Sequence, residues 1–264
     1  MVRSGNSLPY AVFVAILGLG CIAAPSILAQ AEAIPSSTAI PVIFTHTLQA
    51  GVAKPGEIVT AKTTQSVLLP GGKALPLGTV LTGHVVQSTP FVFDPTPYAV
   101  QKPSVLSVHF DTIAEGGTTI PVNLSVRAIT GPVAAHEASI PHYRDETDST
   151  GIRTLIGGSQ VSPLGSTVTS PSGDIVGYSR KQGVFARLIA NDYTVGDSVG
   201  RCDATESEQS VGIFSADACG VYELDTASLS HNGSSGDGIF VLTSTHNTVK
   251  LHSMSAALLQ AVGA

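Results

Sequence analysis

The stretch Val67-Leu-Leu-Pro-Gly-Gly-Lys-Ala-Leu-Pro-Leu-Gly-Thr-Val-Leu-Thr-Gly-His-Val-Val86 decides how this chain is read. Two apolar, β-prone runs, 67–69 and 79–86, flank Pro70, Gly71, Gly72, Pro76 and Gly78, residues that break the backbone into turns. The grammar is strand, turns, strand. Val80 and Val86 fall on one face of the second run, Leu81 and Val85 on the other. Apolar side chains on both faces suit a sheet covered on both sides or curled into a barrel.

Alternation continues on either side. Val42, Phe44, His46 and Leu48 share one face of a strand opposite Ile43, Thr45 and Thr47, and 57–64 reads as the next strand after a turn at 53–56. Leu106, Val108 and Phe110 alternate with Ser107, His109 and Asp111. The turn Glu115-Gly116-Gly117 then leads to a return arm in which Ile120, Val122, Leu124 and Val126 oppose Thr119, Asn123, Ser125 and Arg127. One face of this hairpin is core and the other is polar. Pro121 places the head of the return arm at a sheet edge, because proline cannot donate to a ladder. Between them, 88–103 carries Pro90, Pro95, Pro97 and Pro103 with Phe91, Phe93 and Tyr98 interleaved, a long connection whose aromatics are expected to cap one end of the sheet.

Segment 131–151 loses the apolar period and gathers His136, Glu137, His142, Arg144, Asp145, Glu146 and Asp148, the composition of a solvated linker or long loop. Strands resume at 152–156, 175–178, 211–214 and 221–224. Segment 183–189 fits a strand or a short helix, 239–243 and 249–251 read as a final hairpin, and the tail 254–262 fits a short helix or a last strand. The expected fold is all-β in two sheet-rich halves, barrel or sandwich: a β-barrel-like domain over 40–130, the linker, and a second β-rich domain over 152–264.

Composition sets the compartment. Arg3, an apolar run over 11–24 and Ala29-Gln30-Ala31 are the parts of a secretory signal peptide, with cleavage after Ala31. A rival reading acylates Cys21 after Gly20. Cleavage leaves 233 of the 264 residues and moves the formal charge from −6 to −7 by removing Arg3. That balance, with no run of Lys or Arg interleaved with aromatics, points away from nucleic acid. No second apolar run long enough to span a bilayer follows the leader. Cys202 and Cys219 remain as an even pair in an exported chain, so a disulfide between them is expected.

Reactive constellations are sparse. His136 and His142 are six apart, whereas the metalloprotease helix needs histidines four apart. Gly157-Gly158-Ser159 and Gly233-Ser234-Ser235-Gly236 both miss the Gly-x-Ser-x-Gly elbow. With no tryptophan and 5% aromatics, stacking platforms for sugars are scarce. His109 and Asp111 share the outer face of one strand and His84 lies on a neighbouring one; together they form the nearest approach to a ligand set or a hydrolytic site. The residues assign no catalytic, cofactor-binding or metal role at usable spacing, and no cofactor.

The words 75–85, after Gly56-Glu-Ile-Val-Thr-Ala61 and before Leu106-Ser-Val-His-Phe-Asp111, resemble the C-terminal β-barrel domain of the scaffold proteins that form conjugation and type IV secretion pores. The resemblance covers 40–130 and implies a barrel in the cell envelope. The half from Ile152 onward is similar to segments of uncharacterised exported bacterial proteins. The expectation is therefore an exported, periplasmic or surface-facing module, structural or binding and non-catalytic, with an envelope protein or a surface ligand as its partner. An exported hydrolase built from Asp111, His109 and His84, or a barrel carrying a small ligand inside, are the alternatives.

Overall fold

The computed structural model describes residues 1, 5, 34–69, 72–143, 151–162, 164–195, 198–224, 226–231 and 237–262. The leader, its cleavage position, Cys21, and the turns at Pro70-Gly71 and 232–236 lie outside them. Residues Glu32–Ala264 form one compact unit.

In chain order, β1 (Ala39–Phe44), β2 (Leu48–Gln49), β3 (Ile58–Thr63), β4 (Val67–Leu68), β5 (Ala74–Leu75), β6 (Val80–Thr89), β7 (Ser104–Glu115), β8 (Thr118–Pro121) and β9 (Leu124–Thr130) come first. A helix α1 (Pro132–Ser139) precedes β10 (Arg153–Thr154), β11 (Gln160–Val161), β12 (Thr167–Thr169), β13 (Ile175–Arg180), β14 (Gly183–Arg187), β15 (Asn191–Val195), β16 (Ser198–Cys202) and β17 (Glu208–Ser210). β18 (Gly220–Tyr222), β19 (Ser228–His231), β20 (Ile239–Ser244), β21 (Lys250–Leu251) and β22 (Ala256–Ala261) follow. About half of the structure is strand and 4% helix, so the protein is all-β. The tail is strand β22, and α1 sits mid-chain instead.

The large sheet runs β18-β9-β22-β1-β3-β6-β7-β20-β19, with β8 hydrogen-bonded to β7 beside this path. Its ends meet where β18 touches β19 and β20 touches β9, which makes a nearly closed barrel. Phe44, Phe110 and Phe240 stack through the interior at centroid separations of 6.1 and 6.3 Å, and Ile40, Leu81, Leu106 and Leu124 fill the space around them. Each such side chain contributes roughly 1.5–3 kcal/mol by leaving water. The interior is a packed core.

One wall of the barrel is apolar outside as well. Ala39, Ala128, Ala256 and Leu258 face a second cluster with Val168, Val184, Ala186 and Phe214, contributed by the sheet β10-β11-β12-β13-β14-β17 and the segment after it. This double burial explains why Ala-Ile-Pro-Val-Ile-Phe in β1 and Ala-Ala-Leu-Leu-Gln-Ala in β22 show no polar alternation. Side-chain amides complete the seam: Gln65 donates to Val184 O and accepts from Val184 N, both at 2.8 Å, and Gln209 Oε1 accepts from Ala39 N at 2.9 Å.

Arg127 closes the other side. Register in β9 steps from Val126↔Leu259 to Ala128↔Leu258, so Arg127 is the extra residue of a β-bulge. The residue is 2% exposed, and its guanidinium donates to the carbonyls of Ala218, Asp203, Ile189 and Ala216. Desolvation pulls its pKa down to about 10 against the opposing pull of Asp203, Tyr222 and Asp217. The Cys202–Cys219 disulfide, Cα atoms 5.9 Å apart, forms beside it, with the Cys202 sulfur 3.5 Å from Arg127 O. Closing a loop with a sequence separation of 17 stabilises the fold by about 3 kcal/mol in the chain-entropy description.

Several expectations are corrected here. The boundary at 131–151 does not divide the large sheet, since β18, β19, β20 and β22 all belong to it. Non-local strand pairing joins what composition separates. Segment 131–151 is not wholly linker: α1 occupies its start and buries Ala134, Ala135 and Ala138. The return arm after Glu115 breaks behind Pro121 into β8, which pairs with β7, and β9, which pairs with β22 and β18. Strands β20 and β21 do not pair with each other; β20 lies between β7 and β19, and β21 pairs with β2. Of the three aromatics in 88–103, Phe93 and Tyr98 are exposed, while Phe91 is half-buried and its N–H donates to Thr248 Oγ1 at 3.2 Å. Segment 183–189 is strand β14 over Gly183–Arg187.

Replacing Arg127 by Leu removes the donor to the carbonyls of Ala218, Asp203 and Ile189, while Ala216 O keeps the Ile189 N–H; a buried carbonyl left unpaired costs about 1–3 kcal/mol. Chemical denaturation of the Arg127→Leu protein is expected to show a loss of at least about 3 kcal/mol. Unchanged stability would mean that the carbonyl ring is satisfied without the guanidinium.

Candidate functional site

Strands β6 and β7 carry two bulges. Between Thr82↔Thr112 and Gly83↔Phe110 the extra residue is Asp111, and between Val85↔Val108 and Gln87↔Ser107 it is Val86. The second bulge leaves Val86 exposed, so the outer face of β6 is not the covered face that its apolar pattern suggests. The first re-aims Asp111. His84 and His109 are direct cross-strand partners, their ring centroids 5.6 Å apart. The Asp111 carboxylate bridges them, Oδ2 at 2.8 Å from His84 Nδ1 and Oδ1 at 2.9 Å from His109 Nδ1. The structure thus brings together the three residues that the strand pattern could only group loosely.

The chemistry of the cluster follows from its donor count. An ionised carboxylate only accepts, so each Nδ1 facing it carries a proton, and each neutral ring keeps its Nε2 lone pair. Burial raises the Asp111 pKa, but the hydrogen bonds and charges of His84 and His109 outweigh it and hold the carboxyl below its usual 3.8. The three side chains are one quarter to two fifths exposed. Under them Gly83 is fixed by space: a Cβ there would lie 2.1 Å from His109 O and 2.8 Å from the Phe110 Cα, both backbone atoms. The close approach of β6 to β7 at the cluster needs a glycine.

A second feature is a cleft of about 930 Å³ between the barrel wall, α1 and the second sheet. Ile43, Val184, Ile213 and Met254 form apolar parts of its lining; Arg153, Arg180, Lys181 and His136 supply cationic or titratable groups; and among the described residues no Asp or Glu lines it. Glu208 pairs with Arg180 at 2.8 Å. Arg153 is different. Its Nε is buried without a hydrogen-bond partner among the described residues, and desolvation by burial lowers its pKa.

The remaining candidates are dispersed. His136 lies on α1, and the backbone of His142 pairs with Ile152. Ser159 is buried in a turn where its N–H donates to Ser215 Oγ. Cys219 is spent in the disulfide. Sequence reasoning missed Arg153 and Lys181 as partners in one cleft. The only local signal is a cation beside an apolar β-run, which is also the signature of an ordinary surface strand. No protein family, curated protein or solved structure matches this chain, so the resemblance to secretion-pore barrels rests on its turn and strand words alone.

Gly83→Ala is expected to destabilise the protein by about 1–3 kcal/mol, the ordinary cost of overpacking, because the obstructing atoms are backbone and cannot rotate away. Urea denaturation measures it, and an unchanged midpoint would refute the close-approach argument.

Proposed function

We propose that this protein is an exported, envelope-associated binding module without catalysis of its own, and that it takes an amphipathic anion in the cleft beside the barrel. The observation that carries the reading is Arg153, a half-buried arginine lining the cleft whose Nε is buried without a hydrogen-bond partner among the described residues. A partly desolvated cation is met favourably by something of opposite sign, and the cleft has the volume of a small-molecule site. The packed barrel core argues against a ligand carried inside the barrel. Neither His84 nor His109 bonds a hydroxyl or thiol among the described residues, which favours binding over hydrolysis. Exposed Phe93, Tyr98 and Val100 on the arm between β6 and β7 suit contact with an envelope partner. No helix among the described residues is long and apolar enough to cross a membrane.

Titration calorimetry with dodecanoate and dodecyl phosphate tests the cleft. Binding is expected, weakened about tenfold, or about 1.4 kcal/mol, by Arg153→Gln and weakened further by salt. No binding at millimolar ligand, or the same affinity in the variant, would overturn the proposal. Export is tested by sequencing the N-terminus of protein recovered from the envelope fraction. A chain beginning at Glu32 is expected; one beginning at an acylated Cys21 refutes that cleavage position, and one retaining Met1 refutes export.

A further inference from the structure

The outer-face cluster of the barrel invites a question separate from the cleft. Ile58, His84, His109 and Ile239 stand in register across four adjacent strands, β3, β6, β7 and β20. The two imidazoles are therefore flanked by isoleucines, with Asp111 reaching in from the bulge. One ligand atom from each of His84, His109 and Asp111 can be chosen so that all three lie within 4.8 Å of one another. A tetrahedral zinc ion with bonds of about 2.0–2.1 Å places its ligand atoms about 3.3 Å apart. Each Nδ1 already lies near that distance from one oxygen of the carboxylate, His84 2.8 Å from Oδ2 and His109 2.9 Å from Oδ1.

We infer that His84, His109 and Asp111 form a binding site for a divalent transition-metal ion of the zinc class, with two imidazole nitrogens and one carboxylate oxygen as protein ligands and water in the fourth position. Two nitrogens and one oxygen suit zinc and its neighbours; calcium and magnesium prefer oxygen alone. Three protein ligands with an open position are the pattern of an accessible site rather than a closed structural one. On binding, the ion takes the place of the Nδ1 protons, and each neutral ring carries its proton on Nε2 instead, so no net proton need leave the imidazoles. Three features make the site more than a chance meeting of surface side chains. The register sets His84 directly opposite His109, the bulge turns Asp111 onto both, and Gly83 permits the backbone approach beneath them.

The test uses the full chain without an affinity tag, with zinc and cobalt as probes. Competition against a chromogenic chelator should give one equivalent of zinc bound at micromolar or tighter affinity, and cobalt should give the visible absorption of a four-coordinate ion. His84→Ala and His109→Ala should each weaken zinc by at least the roughly 10-fold that loss of even an outer hydrogen-bond partner brings. The double variant should abolish one-to-one binding, and Asp111→Asn should weaken it. His252→Ala, on an exposed turn away from the cluster, should leave it unchanged. Imidazole nitrogen shifts of His84 and His109 in the unaltered protein provide a readout that does not depend on the variants folding. Failure of those shifts to move with zinc, or full-affinity binding by the double variant, would overturn the inference.

Discussion

A single guanidinium governs how the barrel is joined to what surrounds it. Arg127 leaves the barrel wall at a bulge and enters a ring of carbonyls from Ile189, Asp203, Ala216 and Ala218. Ala216 O also accepts from Ile189 N at 2.9 Å, whereas the carbonyls of Ala218, Asp203 and Ile189 look to the guanidinium, and backbone oxygen buried without a partner is among the costlier defects a fold can carry. Arginine meets the need because its fork presents several donors at once and stays charged even with its pKa near 10. The disulfide beside it limits how far the same segments can separate.

The device that positions Arg127 also positions Asp111. In each case one residue is inserted against a partner strand that has none, and the side chain at the insertion turns out of the regular alternation. In β9 the result is a buried charge that organises the interior of the molecule; in β7 it is a carboxylate shared between two exposed imidazoles. The two faces of the protein thus differ in purpose. The wall of β1, β9 and β22 is covered and structural, while the wall of β6 and β7 remains open to solvent and carries side chains with chemistry available.

Much of the local structure was legible. The turn words around Gly72 and Gly78, the alternation in 106–110 and the even pair of cysteines each follow from short-range rules, and strands, barrel-like closure and the disulfide are present. Long-range pairing was not legible. Pro121 announced an edge, but nothing in the return arm says that β8 stays with β7 while β9 crosses to β22. Arg127 alternates as a surface residue would, because bulges leave little trace in a two-residue period. The cleft was invisible for the same reason: Arg153 and Lys181 meet only through the packing of separate elements.

By itself, the sequence determined the class of secondary structure, the positions of most turns and the cysteine pair, since these depend on side-chain size, backbone freedom and spacing within a few residues. The tertiary structure alone decided that strands after residue 220 close a sheet begun at residue 39, that one arginine is buried, and that His84, His109 and Asp111 share a few ångströms. The physical reason is that hydrogen-bond ladders between distant segments are chosen by which faces can be buried together, and that choice is made by the whole chain at once.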